Sequence, residues 1–265
     1  MVMKYLDLKN KIFLLTGGTG NIGKVTAKEI LNLGGKLIII SSSKKNIKNF
    51  KNNLHNNLIN NCEFILADLN KNEDIEFLTK KIKKNYKYLN GIINNAYSGK
   101  TGPIKNIKKN DFIQATNLNL YAPFKIIKDL KNLLIKGAMK MKNQSSIVNI
   151  SSMYGMVSPN KNIYNLLKNL NPIQYGSTKA GLIQMTKYLA CNLDPKKIRV
   201  NCISPGPIPI NTISKNFLKK LSNQVPMNRV GKPIEVALPI IFLLTDFSSY
   251  LNGTNIPVDG GWTAW

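Results

Sequence analysis

Short apolar runs rich in β-branched residues alternate along this chain with longer stretches whose apolar positions repeat at helical spacing. The runs predicted as strands are Ile12–Thr16, Leu37–Ile40, Phe64–Ala67, Gly91–Asn94, Ser146–Ile150, Val200–Ile203 and Asn255–Val258. Ile22, Val25, Ile30 and Leu33 carry the helical period of the first segment between them, and Gly34-Gly35 ends it. Asp111–Ile135 is long and periodic enough for one helix, which Pro123 is expected to kink. Strand–helix alternation predicts an α/β fold in three layers, with a doubly wound, seven-stranded parallel sheet covered by helices on both faces. No repeat or composition break divides residues 1–265, so one domain is expected. Met153–Gln174 lacks a clear period and reads as a long loop with one short helix near Tyr164–Leu167; loops of that length in compact domains are usually functional.

The chain has 265 residues and a 43% hydrophobic fraction, enough for a sizeable core. Its formal charge is +25, which raises the question of a nucleic-acid or membrane-surface partner. Only Arg199 and Arg229 are arginine, and the lysines lie scattered among asparagines and isoleucines. Base readout and bidentate phosphate contacts draw on arginine, so the charge is read as a compositional bias of exposed positions, without nucleic acid as partner. Cys62, Cys191 and Cys202 have no metal-ligand spacing; reduced thiols and no metal are expected. Met1–Asn10 lacks the apolar stretch of a signal peptide, and no run approaches a membrane span, so the expected setting is the cytoplasm. His55, the one histidine, falls in an Asn-rich polar stretch and reads as a surface residue.

The first strand runs into Thr16-Gly17-Gly18-Thr19-Gly20-Asn21-Ile22-Gly23 and then a helix. That strand–turn–helix setting is what a dinucleotide pyrophosphate needs: glycines allow backbone N–H groups to approach, and the helix N-terminus adds positive potential. A Rossmann fold follows from it. The second strand ends in Ser41-Ser42-Ser43-Lys44-Lys45, where a carboxylate would favour NAD. Hydroxyls and ammonium groups suit a 2′-phosphate, so NADP is slightly preferred over NAD.

Downstream, Tyr175 and Lys179 stand four residues apart on one helical face. Before them come the strand Ile147–Ile150 ending in Ser151-Ser152, and Asn119 within Asn117–Phe124. Singly these residues have plain structural readings; in this order, with the glycine loop, they resemble the short-chain dehydrogenase/reductase family. Asp68, Asn94-Asn95-Ala96, Pro205-Gly206, Pro226–Pro233 and Val258–Gly261 extend the resemblance over nearly the whole chain. It implies an NAD(P)-dependent oxidoreductase with Tyr175 as acid/base, Ser152 holding the substrate oxygen, and Lys179 binding the nicotinamide ribose. Asn119 would seat a water linking Lys179 to solvent. A phenol of pKa about 10 needs roughly 4 kcal/mol to drop by ~3 units, which a nearby ammonium together with the oxidised nicotinamide ring would supply in a partly dry pocket. Gly17, Thr19, Asn21, Ile22, Gly23, Ser41, Ser42, Asp68, Leu69, Asn95, Ala96, Pro205, Gly206 and Ile208, with Tyr175 and Lys179, are the implied cofactor contacts, Asp68 against the adenine and Asn94 beneath the cofactor. A small substrate or oligomer segment is implied at about 205–230, and a homotetramer or homodimer built on helices near Asp111–Ile135 and Tyr175–Leu193.

Two features depart from the family's commonest pattern. Asn21 stands where glycine is usual, and the segment between Ser152 and Tyr175 is longer than usual. With Asn94-Asn95-Ala96-Tyr97 and the closing Gly261–Trp265, the long segment resembles a subgroup associated with surface-polysaccharide and flagellin-glycan biosynthesis. That implies a sugar, amino-sugar or nucleotide-sugar substrate, met by Tyr97, Ser152, Tyr154 and Tyr175, with Tyr164 as a further ring. A 3-oxoacyl-thioester reductase of fatty-acid synthesis is the alternative, against which the long segment argues. A non-catalytic cofactor-binding regulator is the alternative from another class, against which the retention of Tyr175 and Lys179 argues.

Overall fold

A computed structural model describes residues 7–97, 101–164, 167–210 and 213–265. Met1–Leu6, at the start of the segment read for a signal peptide, lie outside the described residues, as do 165 and 166 within the expected short helix.

Seven strands form one parallel sheet in the order β3-β2-β1-β4-β5-β6-β7: β1 Ile12–Thr16, β2 Lys36–Ser41, β3 Cys62–Leu66, β4 Gly91–Asn94, β5 Ser145–Ile150, β6 Ile198–Pro205 and β7 Asn255–Val258. Between β1 and β2 lies α1 (Asn21–Asn32), and before β3 come α2 (Lys44–Asn52) and the single turn α3 (Asn56–Ile59). α4 (Asn72–Asn85) precedes β4; α5 (Lys109–Thr116) and α6 (Ala122–Met141) precede β5. α7 (Ile173–Asn192) precedes β6, and α8 (Lys215–Ser222) and α9 (Pro233–Leu244) precede β7.

Both faces of the sheet are covered, which is why its central strands carry apolar residues toward both sides. Side-chain alternation divides them: Leu14, Ile38 and Ile40 pack with α4 and α6, while Phe13, Leu15, Leu37 and Ile39 pack with α1 and α9. The strand order reverses beside β1, which pairs with both β2 and β4. Crossovers leaving a parallel sheet in opposite directions open a crevice at the strands' carboxyl ends, and that is where the glycine loop lies.

Two sequence expectations change. The helix expected to kink at Pro123 is instead interrupted before it, by a π turn at Asn117–Tyr121; Pro123 then occupies the second position of α6, where its missing N–H costs nothing. The long loop is shorter at its end than expected, because α7 already begins at Ile173. Its described part makes three 3₁₀ turns, at Met153–Gly155, Lys161–Ile163 and Leu167–Asn169. Met153, Tyr154 and Ile163 pack there with Leu221, Val225 and Trp262, so the segment forms a small apolar core of its own.

Candidate active site

The glycine loop is fixed by its neighbours before any ligand is considered. Gly17 has φ +62°, and a Cβ on it would stand 2.9 Å from the Ala96 Cα, so neither backbone nor space admits a side chain. Gly23 plays a packing part: its Cβ would meet the Gly17 carbonyl at 2.2 Å. Asn95 clamps the loop, donating from Nδ2 to the carbonyls of Thr16 (3.2 Å) and Gly17 (3.0 Å). Thr16 Oγ1 accepts in return from the amides of Asn95 and Ala96 at 3.0 and 3.1 Å. The first turn of α1 carries no acidic residue, and its N-cap is Gly20 without a side-chain cap. An anion therefore has an open helix N-terminus to approach.

The end of β5 and the start of α7 grip one another through two consecutive residues. Lys179 Nζ donates to the Ile150 carbonyl at 2.6 Å, and Ser151 Oγ donates to the Lys179 carbonyl at 2.8 Å. Ser152 Oγ accepts from the Tyr154 amide at 3.1 Å, and its hydroxyl pulls the Tyr175 pKa downward. Burial pushes the Tyr175 phenol up to about 12, against that pull. Burial likewise lowers Lys179 to about 8; its ammonium lies 5.7 Å from the centre of the Tyr175 ring. The side chains of the site itself favour the protonated phenol, because desolvation outweighs the downward pull of Ser152.

These groups share a cleft of about 710 Å3 with the glycine loop. Its walls include Gly17, Thr19, Asn21, Ile22, Ser41, Ser42, Asp68, Leu69, Asn95, Ala96, Tyr97, Ser152, Tyr175, Lys179, Pro205, Gly206 and Ile208, all expected from the sequence. Tyr97 stands at the mouth, 65% exposed, with its ring edge-on to Tyr175 at 5.9 Å. At the other end Thr19 Oγ1 and Ser41 Oγ share a hydrogen bond of 2.8 Å. A dinucleotide fits this cleft by its glycine cradle, its open helix terminus and its length from Ser41 to Tyr175.

Four expected residues do not line the cleft. Gly23 lies behind the turn, as above. Asn94 is buried in the sheet, donating to Asn149 Oδ1 at 2.8 Å; the cleft residue is its neighbour Asn95. Tyr154 is 8% exposed and turned into the apolar core, its hydroxyl paired with that of Tyr164 at 3.0 Å, because the long segment needs a buried anchor against Trp262. Asn119 is 1% exposed on the π turn, and its Nδ2 donates to Thr178 Oγ1 at 2.9 Å, between Tyr175 and Lys179 in the chain. Sequence reasoning missed Asn46, Asn70, Leu118 and Ile210 in the walls, and Ser151 and Thr178 as the ties of α7. A strand ending in two hydroxyls was the visible signal for Ser151.

The family model described as enoyl-(acyl carrier protein) reductase matches residues 18–263. The chain belongs to the short-chain dehydrogenase/reductase family. It is 30% identical over 259 residues to a 3-oxoacyl-[acyl-carrier-protein] reductase of Thermotoga maritima, covering 97% of this chain and 99% of that one. A short-chain dehydrogenase of Leptospira borgpetersenii with bound NAD+ superposes at TM-score 0.85, with 28% identity over 99% of this chain and 96% of that chain. Pseudomonas aeruginosa RhlG, in a complex with NADP, superposes at TM-score 0.86, with 27% identity over 98% of each chain. As a family member this protein is an NAD(P)-dependent oxidoreductase with a Rossmann-type fold. No helix among the described residues is long and apolar enough to cross a membrane.

Proposed function

We propose that this short-chain dehydrogenase/reductase interconverts a secondary alcohol and a ketone in the cleft, with Tyr175 exchanging the proton on the substrate oxygen. The observation that carries the reading is the gathering of Ser152, Tyr175 and Lys179 in one cleft with the glycine loop. The dinucleotide, when bound, supplies or accepts the hydride. Ser152 then holds the substrate oxygen, and the phenol of Tyr175, kept protonated by burial, donates to it as a ketone becomes an alcohol. Lys179 binds the nicotinamide ribose. Asn119 acts through Thr178, orienting the first turn of α7.

The substrate we propose is a sugar, amino-sugar or nucleotide-sugar hydroxyl or ketone, as in the polysaccharide-associated subgroup. Its support is the long segment over Tyr175 and the exposed phenol of Tyr97 at the mouth. Tyr154 and Tyr164 drop out of that argument, since their hydroxyls bond one another. A 3-oxoacyl thioester is the second reading, favoured by the names of curated relatives and by the apolar character of the core beside Tyr175. NADP is the preferred dinucleotide, because β2 ends in Ser41 and Ser42 with no carboxylate to meet a ribose 2′-hydroxyl. Nucleic acid is not a proposed partner: Arg199 is spent on the carbonyls of Leu243 and Thr245, and Arg229 on Glu235. We further propose a cytoplasmic homotetramer or homodimer.

Spectrophotometric turnover of purified protein, with NADPH and NADH offered against acetoacetyl thioesters and against keto-sugars and nucleotide sugars, tests these points together. Faster turnover of a sugar supports the first reading, and turnover of the thioester alone reverses the ranking. A fall of at least about 100-fold in carbonyl turnover, on a substrate established for the wild type, must follow from Tyr175→Phe, or the acid/base assignment fails.

A further inference from the structure

The wall that follows β6 has open space on two sides. Gly206 and Ile208 line the cleft, and with Pro207 they also line a second cavity of about 510 Å3 bounded by Met227, Val258 and Gly260. Ile208 packs at the edge of the core under α1 and α9, and individual bonds fix the strap's backbone. Its root is tied to β7 and to the segment before α9: Gly206 N donates to the Val258 carbonyl at 2.9 Å, and Gly231 N to the Pro207 carbonyl at 3.0 Å. Beyond the root, Asn21 reaches across from the glycine loop. Its Nδ2 donates to the Ile208 carbonyl at 3.3 Å and lies 3.5 Å from that of Pro209.

We propose that Asn21 is a positioning residue whose amide pins the strap Gly206–Ile210 over the cleft and sets the rate at which the dinucleotide leaves. Asn21 begins α1 on a loop that Asn95 already clamps, so its mount is rigid. Its two N–H groups face carbonyls, a pairing that neither glycine nor a carboxylate can make. Closure of the strap narrows the cleft beside the loop, and its release into the second cavity opens the way out. The departure at Asn21 thus adds a tether to the loop, where the sequence alone left its purpose open. Exchange of the dinucleotide is a common slow step in such enzymes, so the tether bears on turnover as well.

The proposal rests on the cleft being the dinucleotide site, and the test separates the two. Hydrogen exchange of the Gly206, Ile208 and Ile210 amides is measured in cofactor-free wild type, Asn21→Ala and Asn21→Asp, and NADPH release is measured by stopped flow. Both variants are expected to speed strap exchange and NADPH release by about five- to tenfold, the scale of one lost hydrogen bond, with β1 exchange and Tm unchanged. Strap exchange that stays at the wild-type rate in cofactor-free Asn21→Ala and Asn21→Asp overturns the proposal. Faster release without faster strap exchange also overturns it, because Asn21 then acts on the dinucleotide directly. Wild-type protein that fails to bind NADPH or NADH overturns the site reading instead, while the strap exchange still tests the tether.

Discussion

At the scale of single residues, the site is a compromise between burial and charge. Lys179 is fully buried and its amine falls from 10.5 to about 8 because desolvation penalises the ammonium. In the folded protein the group loses its proton near pH 8, and in the unfolded chain near 10.5, so through that window the unfolded state binds more protons and stability rises with pH. Below the window the penalty is complete, roughly 3 kcal/mol for a shift of this size. Lys179→Met removes it and forfeits the bond to the Ile150 carbonyl, which costs about 1 kcal/mol. The variant is expected to be about 2 kcal/mol more stable than wild type at pH 7 by urea unfolding, with the advantage shrinking toward pH 10.5, while turnover is lost. Tyr175, raised to about 12, sets the second expectation. Carbonyl reduction needs the phenol and holds steady through neutral pH, whereas alcohol oxidation needs the phenolate and rises with pH. Tyr175→Phe is expected to lower turnover by about 10²–10⁴-fold in both directions, with dinucleotide binding measured by fluorescence unchanged.

At the scale of elements, the decisive feature is how α7 is held. β5 grips it through Ile150 and Ser151, and the π turn grips it through Asn119 and Thr178, whose Oγ1 also bonds the carbonyls of Gln174 and Tyr175. Asn119→Ala leaves Thr178 without its buried donor and is expected to cost about 1–3 kcal/mol in denaturant unfolding. Because Tyr175 rides on that first turn, kcat is expected to fall by at least tenfold while KM moves little. An equal loss of stability with kcat intact would reduce Asn119 to a packing residue.

These ties also show what the sequence could and could not reveal. All seven strands were legible, since a parallel sheet buried on both faces needs largely apolar runs; β6 extends further than its apolar run because β5 pairs with it back to Ile198 and β7 pairs with it on to Pro205. α8 was not legible: its lysines obscure the apolar face that places Leu221 in the core beside Trp262. The π turn was hidden because one extra residue in a turn barely disturbs a helical period. Ser152, Tyr175 and Lys179 were readable through the family resemblance that their motifs carry together, whereas the bond from Asn21 joins residues 187 positions apart and has no local signature.

At the scale of the whole molecule, the helices that carry the site also carry several exposed rings. Phe112 and Ile113 on α5, Tyr121 at the π turn and Phe124 on α6 are 40–45% exposed, and Tyr188 on α7 is 64% exposed. α7 adds an exposed line at Ser177, Ala180, Gln184 and Tyr188, small or uncharged at helical spacing in a chain otherwise crowded with surface lysine. Against a charge of +25, two copies must find lysine-poor surfaces to meet, and the line on α7 is one, with Lys128 lying over the Phe124 ring on α6 beside it. An isologous dimer would set α5–α6 and α7 of one copy against the same elements of its partner, burying the faces opposite Tyr175 and Asn119. Phe124→Asp combined with Tyr188→Asp places two charges in that face and is expected to convert the assembly to monomer in light scattering after size exclusion. Since each copy's α7 is already gripped by its own β5, the monomer is expected to keep the fold by circular dichroism while kcat falls, through loss of support behind the turn that carries Tyr175. A double variant that retains the wild-type mass locates the interface elsewhere.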